Sequence, residues 1–301
     1  MANREETIRM IRSSLNRINK ECVTTFEMIL EEAINAEFET PISLYEVDCS
    51  KQIAKLARII TEEKYEDLIP GLGNVRGVNE QTANNEPERF LLNWASAWVR
   101  KYRNACLALP SKRHGSESET TNDPAITAII TGAFGDAIDV VEMRNVHRVF
   151  ESAEIIGGNL LEEYIAKSAQ KRGWIWCNGS VLRGVDFCNE QLNYFIQVKN
   201  RDNTHNSSSR SFIEGLGNTV NWYRMTSRRG AEQTYNWDEL RDLFREGAGI
   251  TIPRKELNEK DYRKFLNSVT RSNPEILYNY MSVDMNSAGD QMLFSDFFEA
   301  F

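Results

Sequence analysis

Val181-Leu182-Arg183-Gly184-Val185-Asp186-Phe187, followed by Tyr194-Phe195-Ile196-Gln197-Val198-Lys199, decides how this chain is read. Both stretches have the length and apolar content of short strands, with a polar break between them. Lys199 lies two residues after Gln197, so on a strand the two share a face while Ile196 and Val198 point to the other. Asp186 interrupts an apolar run, where a carboxylate is costly to bury unless it is paired or bound to a metal. The spacing predicts that Asp186, Gln197 and Lys199 converge on one sheet. Asp186 and Gln197 offer oxygen ligands for a hard divalent cation, and Lys199 offers an ammonium for orienting water or stabilising negative charge. This is the equipment that metal-dependent phosphodiester hydrolysis requires. The spacing is short enough to arise by chance, so its context matters.

Around this pair the periodicity changes along the chain. Residues 3–35 repeat apolar side chains at spacings of three and four (Ile8, Ile11, Leu15, Ile18, Cys22, Phe26, Ile29), which predicts helix. Residues 50–63 repeat the pattern behind Ser50 as N-cap, 70–86 read as loop, and 87–108 read as a helix with Phe90, Leu91, Trp94, Trp98, Tyr102 and Cys106 on one side. Residues 111–122 carry no apolar side chain and mark a linker or loop. The expected division is therefore a mainly helical region, 1–122, serving dimerisation or the embrace of a ligand, and a second domain, 123–301, holding the site. Within it, 152–171 read as helix, 173–177 as strand, Asn178-Gly179 as turn, 211–224 as helix and 234–245 as helix. That order gives an α/β (α+β) class. On the 152–171 helix Glu162 lies at the edge of the apolar face and is the better candidate to approach the sheet, whereas Glu163 points towards solvent.

Composition bounds the rest. With 301 residues, 41% hydrophobic and 27% charged, the chain can build a substantial core. No apolar run reaches membrane-spanning length, the N-terminus lacks a signal-peptide pattern, and five cysteines without CxxC spacing fit a reducing cytoplasm. The net charge of −8 opposes nucleic-acid binding as an average, but Arg201, Arg210, Arg224, Arg228 and Arg229 make the 201–229 segment locally basic.

Directly after Lys199 runs Asn200-Arg201-Asp202-Asn203-Thr204-His205-Asn206-Ser207-Ser208-Ser209-Arg210. Such a run is either a solvated loop or a set of contacts to phosphates and base edges. In the second reading Asn200, Arg201, Asn203, His205, Asn206, Ser207, Ser208, Ser209 and Arg210 touch DNA, joined by Arg224 and Arg228 near the end of the next helix. Trp222 and Tyr223 fit core packing better than base stacking. His114, His147 and His205 lack metal-ligand spacing, and no phosphate-loop, nucleophile-elbow or dinucleotide fingerprint is present.

Asp186 and Gln197-Val198-Lys199, with Glu162 upstream, resemble the PD-(D/E)xK nuclease superfamily in a variant with Gln at its middle position. More narrowly, Val185-Asp186-Phe187, the 197–203 run, Asn206-Ser207-Ser208-Ser209, Trp222-Tyr223-Arg224 and Asn236-Trp237 resemble type II restriction endonucleases of the SinI/AvaII kind over roughly residues 123–245. The resemblance implies a mixed sheet flanked by helices and Mg2+-dependent, site-specific hydrolysis of double-stranded DNA leaving 5′-phosphate ends. It also implies a homodimer acting on a short palindromic or near-palindromic site. Asp186, Gln197, Lys199 and Glu162 would be catalytic, with Asp186 and Gln197 on the metal. Gln197 removes one negative charge from the usual pattern, which favours one Mg2+ over two. The alternatives are a non-catalytic DNA-binding protein on a degenerate nuclease fold and a repair nuclease that cuts by structure.

Overall fold

The computed structural model describes residues 3–21, 24–115, 124–135, 139–201, 218–226 and 233–277. Two helices, α1 (Arg4–Glu21) and α2 (Phe26–Glu37), occupy the stretch read as one. They are separate because Thr25 caps α2, its hydroxyl accepting the Met28 N–H at 3.4 Å. Ile8, Ile11, Leu15 and Ile18 of α1 and Phe26, Ile29, Leu30 and Ala33 of α2 are buried, as the periodicity predicts.

A two-stranded ribbon, β1 (Ser43–Leu44) with β2 (Val47–Asp48), leads into α3 (Cys49–Lys55) and α4 (Ala57–Thr61). The cap of α3 is Asp48, whose carboxylate accepts the N–H of Ser50 at 2.9 Å; Ser50 itself is already inside the helix. Part of the expected 70–86 loop is also helical. Asn79 caps α5 (Glu80–Asn85) by accepting the Thr82 N–H, and Pro87 then opens α6 (Pro87–Leu107). Along α6, Phe90, Leu91, Trp94, Trp98 and Tyr102 are fully buried, and Trp94 stacks on Trp98 at 5.6 Å.

Among the described residues, five strands form one mixed sheet in the order β3 (Trp174–Trp176), β4 (Phe187–Asn189), β5 (Tyr194–Arg201), β6 (Asn218–Thr226), β7 (Thr234–Tyr235). Neighbours are antiparallel except β5 and β6, which run parallel. Three sequence expectations change here. Residues 234–235, read as the start of a helix, form β7, and the helix begins at Trp237. Residues 181–186 precede the strand instead of forming it, because Gly179, Ser180 and Gly184 take left-handed backbone conformations that break extended pairing. Residues 218–224, read as helical, belong to β6: Thr219, Val220, Trp222 and Tyr223 are β-branched or aromatic, and the full length of β5 is available to pair with them. The remainder of the 211–224 expectation, residues 211–217, lies outside the described residues.

Helices cover both sheet faces. On one, Phe195 meets the Tyr65 ring edge-on at 5.9 Å, while the Trp98 indole donates to Val181 O at 2.9 Å beside the sheet. On the other, α9 (Trp237–Ala248) sets Trp237 against Trp222 at 5.4 Å and Phe244 against Trp174 at 4.8 Å. The last helices are α7 (Pro124–Phe134), α8 (Val140–Ala169) and α10 (Glu259–Ser272).

The chain divides into two compact units, 1–110 with 160–266 and 111–159 with 267–301. The first holds the sheet and a continuous apolar core running from Ile8 to Tyr262. In the second, Asn273 donates to the carbonyls of Ser111 and Arg113, and Gly115 N–H reaches Glu275 O at 2.7 Å. Most of α7 is exposed, including Ile126, Ile129 and Phe134. No described helix is long and apolar enough to cross a membrane.

Candidate active site

Sheet register builds the site. The pairing Trp176↔Phe187 continues so that Cys177 faces Asp186, with Cys177 N–H on Asp186 O at 2.8 Å. Phe187↔Ile196 continues so that Asp186 faces Gln197, with Asp186 N–H on Ile196 O at 3.0 Å. Gln197 is in turn registered with Asn221 of β6. Residues in register on neighbouring strands present their side chains to the same face. Cys177, Asp186, Gln197 and Asn221 therefore form a row across four strands. Lys199, registered with Tyr223, stands one step along on the same face.

Asp186 sits where β4 begins, and its side chain takes over part of the ladder: Oδ2 accepts the Val198 N–H at 2.7 Å. One side-chain oxygen thus fixes the carboxyl against β5, and the other takes no part in that bond. Desolvation lifts the carboxyl from 3.8 to about 6, against the opposing pull of the Val198 N–H and of the Lys199 charge. Asp186 is half-buried, and a carboxylate whose charged form is disfavoured by partial loss of water gains from any cation that replaces its hydration.

Beside it, Gln197 Oε1 is buried without a hydrogen-bond partner, and so is Asn221 Oδ1. A buried amide oxygen left unbonded costs about 1–3 kcal/mol, so such atoms in a sheet call for an occupant. Among the described residues, no group of three or more His, Cys, Asp and Glu side chains is placed to hold a metal. The donors present are one carboxylate and neutral amide oxygens. That set suits a hard cation that keeps several waters, as Mg2+ does, and not a metal selecting imidazole or thiolate.

Glu162 projects from the C-terminal part of α8, where its Oε2 accepts the Trp176 indole N–H at 3.3 Å. The Trp176 ring it binds lies on the sheet face opposite the Asp186 row, and the Glu162 charge is the last of the causes that push the Cys177 thiol up, after burial, Cys188 at 3.8 Å and Asp186. Glu163, expected in solvent, is 2% exposed and accepts the Tyr45 hydroxyl at 3.1 Å. That partner lies in the turn between β1 and β2, far away in sequence, so the local periodicity of the helix carries no sign of it.

The DNA-contact candidates separate. Arg201 is exposed at the end of β5 on the face of Lys199. Asn200 and Arg224 lie on the opposite face and bind each other, Asn200 Oδ1 accepting Arg224 Nε–H at 3.1 Å. The Arg224 guanidinium also makes two bonds of 2.9 Å to Glu259 and lies near the Tyr235 and Tyr262 rings. Arg224 is therefore anchored away from the Asp186 row. Asn203, His205, Asn206, Ser207, Ser208, Ser209, Arg210 and Arg228 lie outside the described residues.

Asn221 was not singled out by the sequence. The alternation of Thr219, Asn221 and Tyr223 against Val220 and Trp222 was the available signal, once β6 is read as a strand.

Residues 76–270 match the sequence model of the SinI restriction endonuclease family. The chain is 37% identical over 153 residues to the type II restriction enzyme Eco47I of Escherichia coli, an alignment covering 49% of this chain and 61% of that enzyme. It is 39% identical over 133 residues to the type II restriction enzyme SinI of Salmonella infantis, covering 43% of this chain and 53% of that enzyme. The chain thus spans between about half and three fifths of the length of these relatives.

Proposed function

The chain belongs to the SinI restriction endonuclease family, and we propose that it is a type II restriction endonuclease that hydrolyses double-stranded DNA at a specific site with Mg2+. The observation that carries this reading is the poorly solvated Asp186 carboxylate in register with Gln197, whose amide oxygen has no partner. On this reading the sheet and its helices are the PD-(D/E)xK nuclease core.

Asp186 and Gln197 would hold the cation. Mg2+ bound there would supply Lewis acidity, polarising the scissile phosphodiester and making water a better nucleophile. Lys199 carries its ammonium on the same face as both ligands, where it orients the attacking water and offsets charge growing on the phosphoryl oxygens. Glu162, held by the Trp176 indole at the neighbouring strand, would complete the site as a second carboxylate acting through water. Val198 keeps Asp186 from rotating away, so the carboxylate is oriented before substrate arrives.

Arg201, exposed at the end of β5 on the face of Lys199, and the residues that follow it to Arg210 are the candidates for reading the DNA, with Arg228 as a further phosphate contact. The mainly helical region, 1–122, would help embrace the duplex or join two copies; its Tyr65 already packs on the face that bears Gln197. The remaining domain, 123–301, would carry catalysis and recognition. A short palindromic or near-palindromic target calls for a homodimer, since two identical sites then meet two identical half-sites. The cytoplasm is the compartment in which such an enzyme meets DNA.

Digestion of a sequenced plasmid with Mg2+ tests the proposal. Discrete fragments are expected from the wild type and none from Lys199→Ala, a loss of at least about a hundredfold. Cleavage by Lys199→Ala at the wild-type rate removes the assignment of the site, and a smear from the wild type removes site specificity.

A further inference from the structure

Gln197 Oε1 and Asn221 Oδ1 are two buried acceptors without partners, on parallel strands, in direct register. One unpartnered amide oxygen is a local imperfection. Two of them on one face, in the row that includes Asp186, point to a common occupant. A bound cation satisfies both oxygens at once as they stand, whereas an amide–amide hydrogen bond needs one side chain to turn its NH2 to the other, and no such bond is formed here. We propose that Asn221 is a third protein ligand of the cation, completing an Asp186–Gln197–Asn221 oxygen set drawn from three adjacent strands. This rests on the metal site proposed above and extends it to β6, which no part of the nuclease motif reaches.

The set has a chemical consequence. Asp186 supplies the single negative charge, and Gln197 and Asn221 supply only dipoles. A divalent cation held by these three would keep a net positive charge and so would attract an anionic DNA phosphate. Replacing either amide by a carboxylate strengthens the hold on the free ion and reduces its attraction for phosphate.

The placement also accounts for an otherwise unfavourable choice of residue. Asparagine is depleted in strands, and here it stands in the middle of β6 between Val220 and the fully buried Trp222. An apolar or β-branched residue at 221 would suit the pairing better and would leave no unpartnered oxygen.

Mn2+ binding to the full chain without DNA, followed by electron paramagnetic resonance titration, tests the proposal apart from catalysis. Wild type, Asp186→Ala, Asn221→Ala and Asn221→Asp are compared, each also melted in EDTA. Asn221→Ala is expected to bind Mn2+ at least about tenfold more weakly while melting in EDTA no lower than wild type. Asn221→Asp is expected to bind more tightly than wild type. Wild-type Mn2+ affinity in Asn221→Ala, with Asp186→Ala no longer binding, overturns the role of Asn221 and leaves the Asp186 site standing. Wild-type affinity in Asp186→Ala overturns the metal site itself. If Asn221→Ala does not fold, Asn221→Asp decides: affinity equal to or weaker than wild type refutes the proposal.

Discussion

Replacing Asp186 by asparagine is expected to abolish cleavage and at the same time to stabilise the metal-free protein at neutral pH. The carboxyl is lifted from 3.8 to about 6, burial outweighing the Val198 N–H and the Lys199 charge. A carboxyl raised by folding contributes fully below its unfolded value and loses that contribution as pH rises through the folded value. At pH 7 it is ionised in both states, and the displacement of about 2 on the pH scale, at roughly 1.4 kcal/mol each, is a cost of about 3 kcal/mol. Asparagine is neutral at every pH and keeps a carbonyl oxygen for the Val198 N–H, so it mimics the protonated acid. Asp186→Asn should therefore gain about 2–3 kcal/mol at pH 7, or roughly 3–5 °C in melting temperature for a chain of this size. The gain should shrink through pH 6 and vanish below about pH 4. Melting wild type and variant in EDTA across this range measures it. Added Mg2+ should raise the wild-type melting temperature and leave the variant unmoved. A variant that melts with or below wild type at pH 7, or a gain independent of pH, would refute the account of Asp186 as a desolvated carboxylate.

Three further outcomes follow from the same geometry. Mn2+ affinity should fall up to about tenfold per pH unit below about 6, because proton and metal compete for Asp186; titrations at pH 5, 6 and 7 that show constant affinity would contradict this. Glu259→Ala leaves the Arg224 guanidinium without its bidentate partner at a site where both side chains are under 20% exposed, and should cost about 2–4 kcal/mol in denaturant melts; an unchanged midpoint would show that Arg224 is not structural. Gly179→Ala should destabilise by at least about 2 kcal/mol, since its φ is +74° and a Cβ there lies 2.7 Å from Ala105 Cβ; a thermal melt matching wild type would disprove the crowding.

The helical N-terminal region was readable because its apolar spacing is local and strong: Ile8 to Ile18 and Phe90 to Cys106 each declare one buried face. The pairing of Asp186 with Gln197-Val198-Lys199 was likewise readable, since both stretches lie within one short antiparallel unit. What escaped depends on distant partners. β6 takes its strand character from β5 across the parallel pairing, and only that pairing brings Asn221 into the row. Glu163 looked solvated because Tyr45, its hydrogen-bond donor, lies 118 residues away. The turns before β4 turn on backbone conformation: Gly184 hinted at them, but Ser180, with φ at +53°, gave no such sign.

The bond from Val198 N–H to Asp186 Oδ2 gives the site its own probe. An amide proton held by a carboxylate resonates at a position set by the charge on that acceptor. The nitrogen–proton signal of Val198 should therefore shift as Asp186 gains its proton and shift again when a cation draws on the same carboxylate. Occupancy and ionisation of the site could then be followed by nuclear magnetic resonance at a single backbone position of the isotope-labelled protein, with no substrate or substitution introduced into the site.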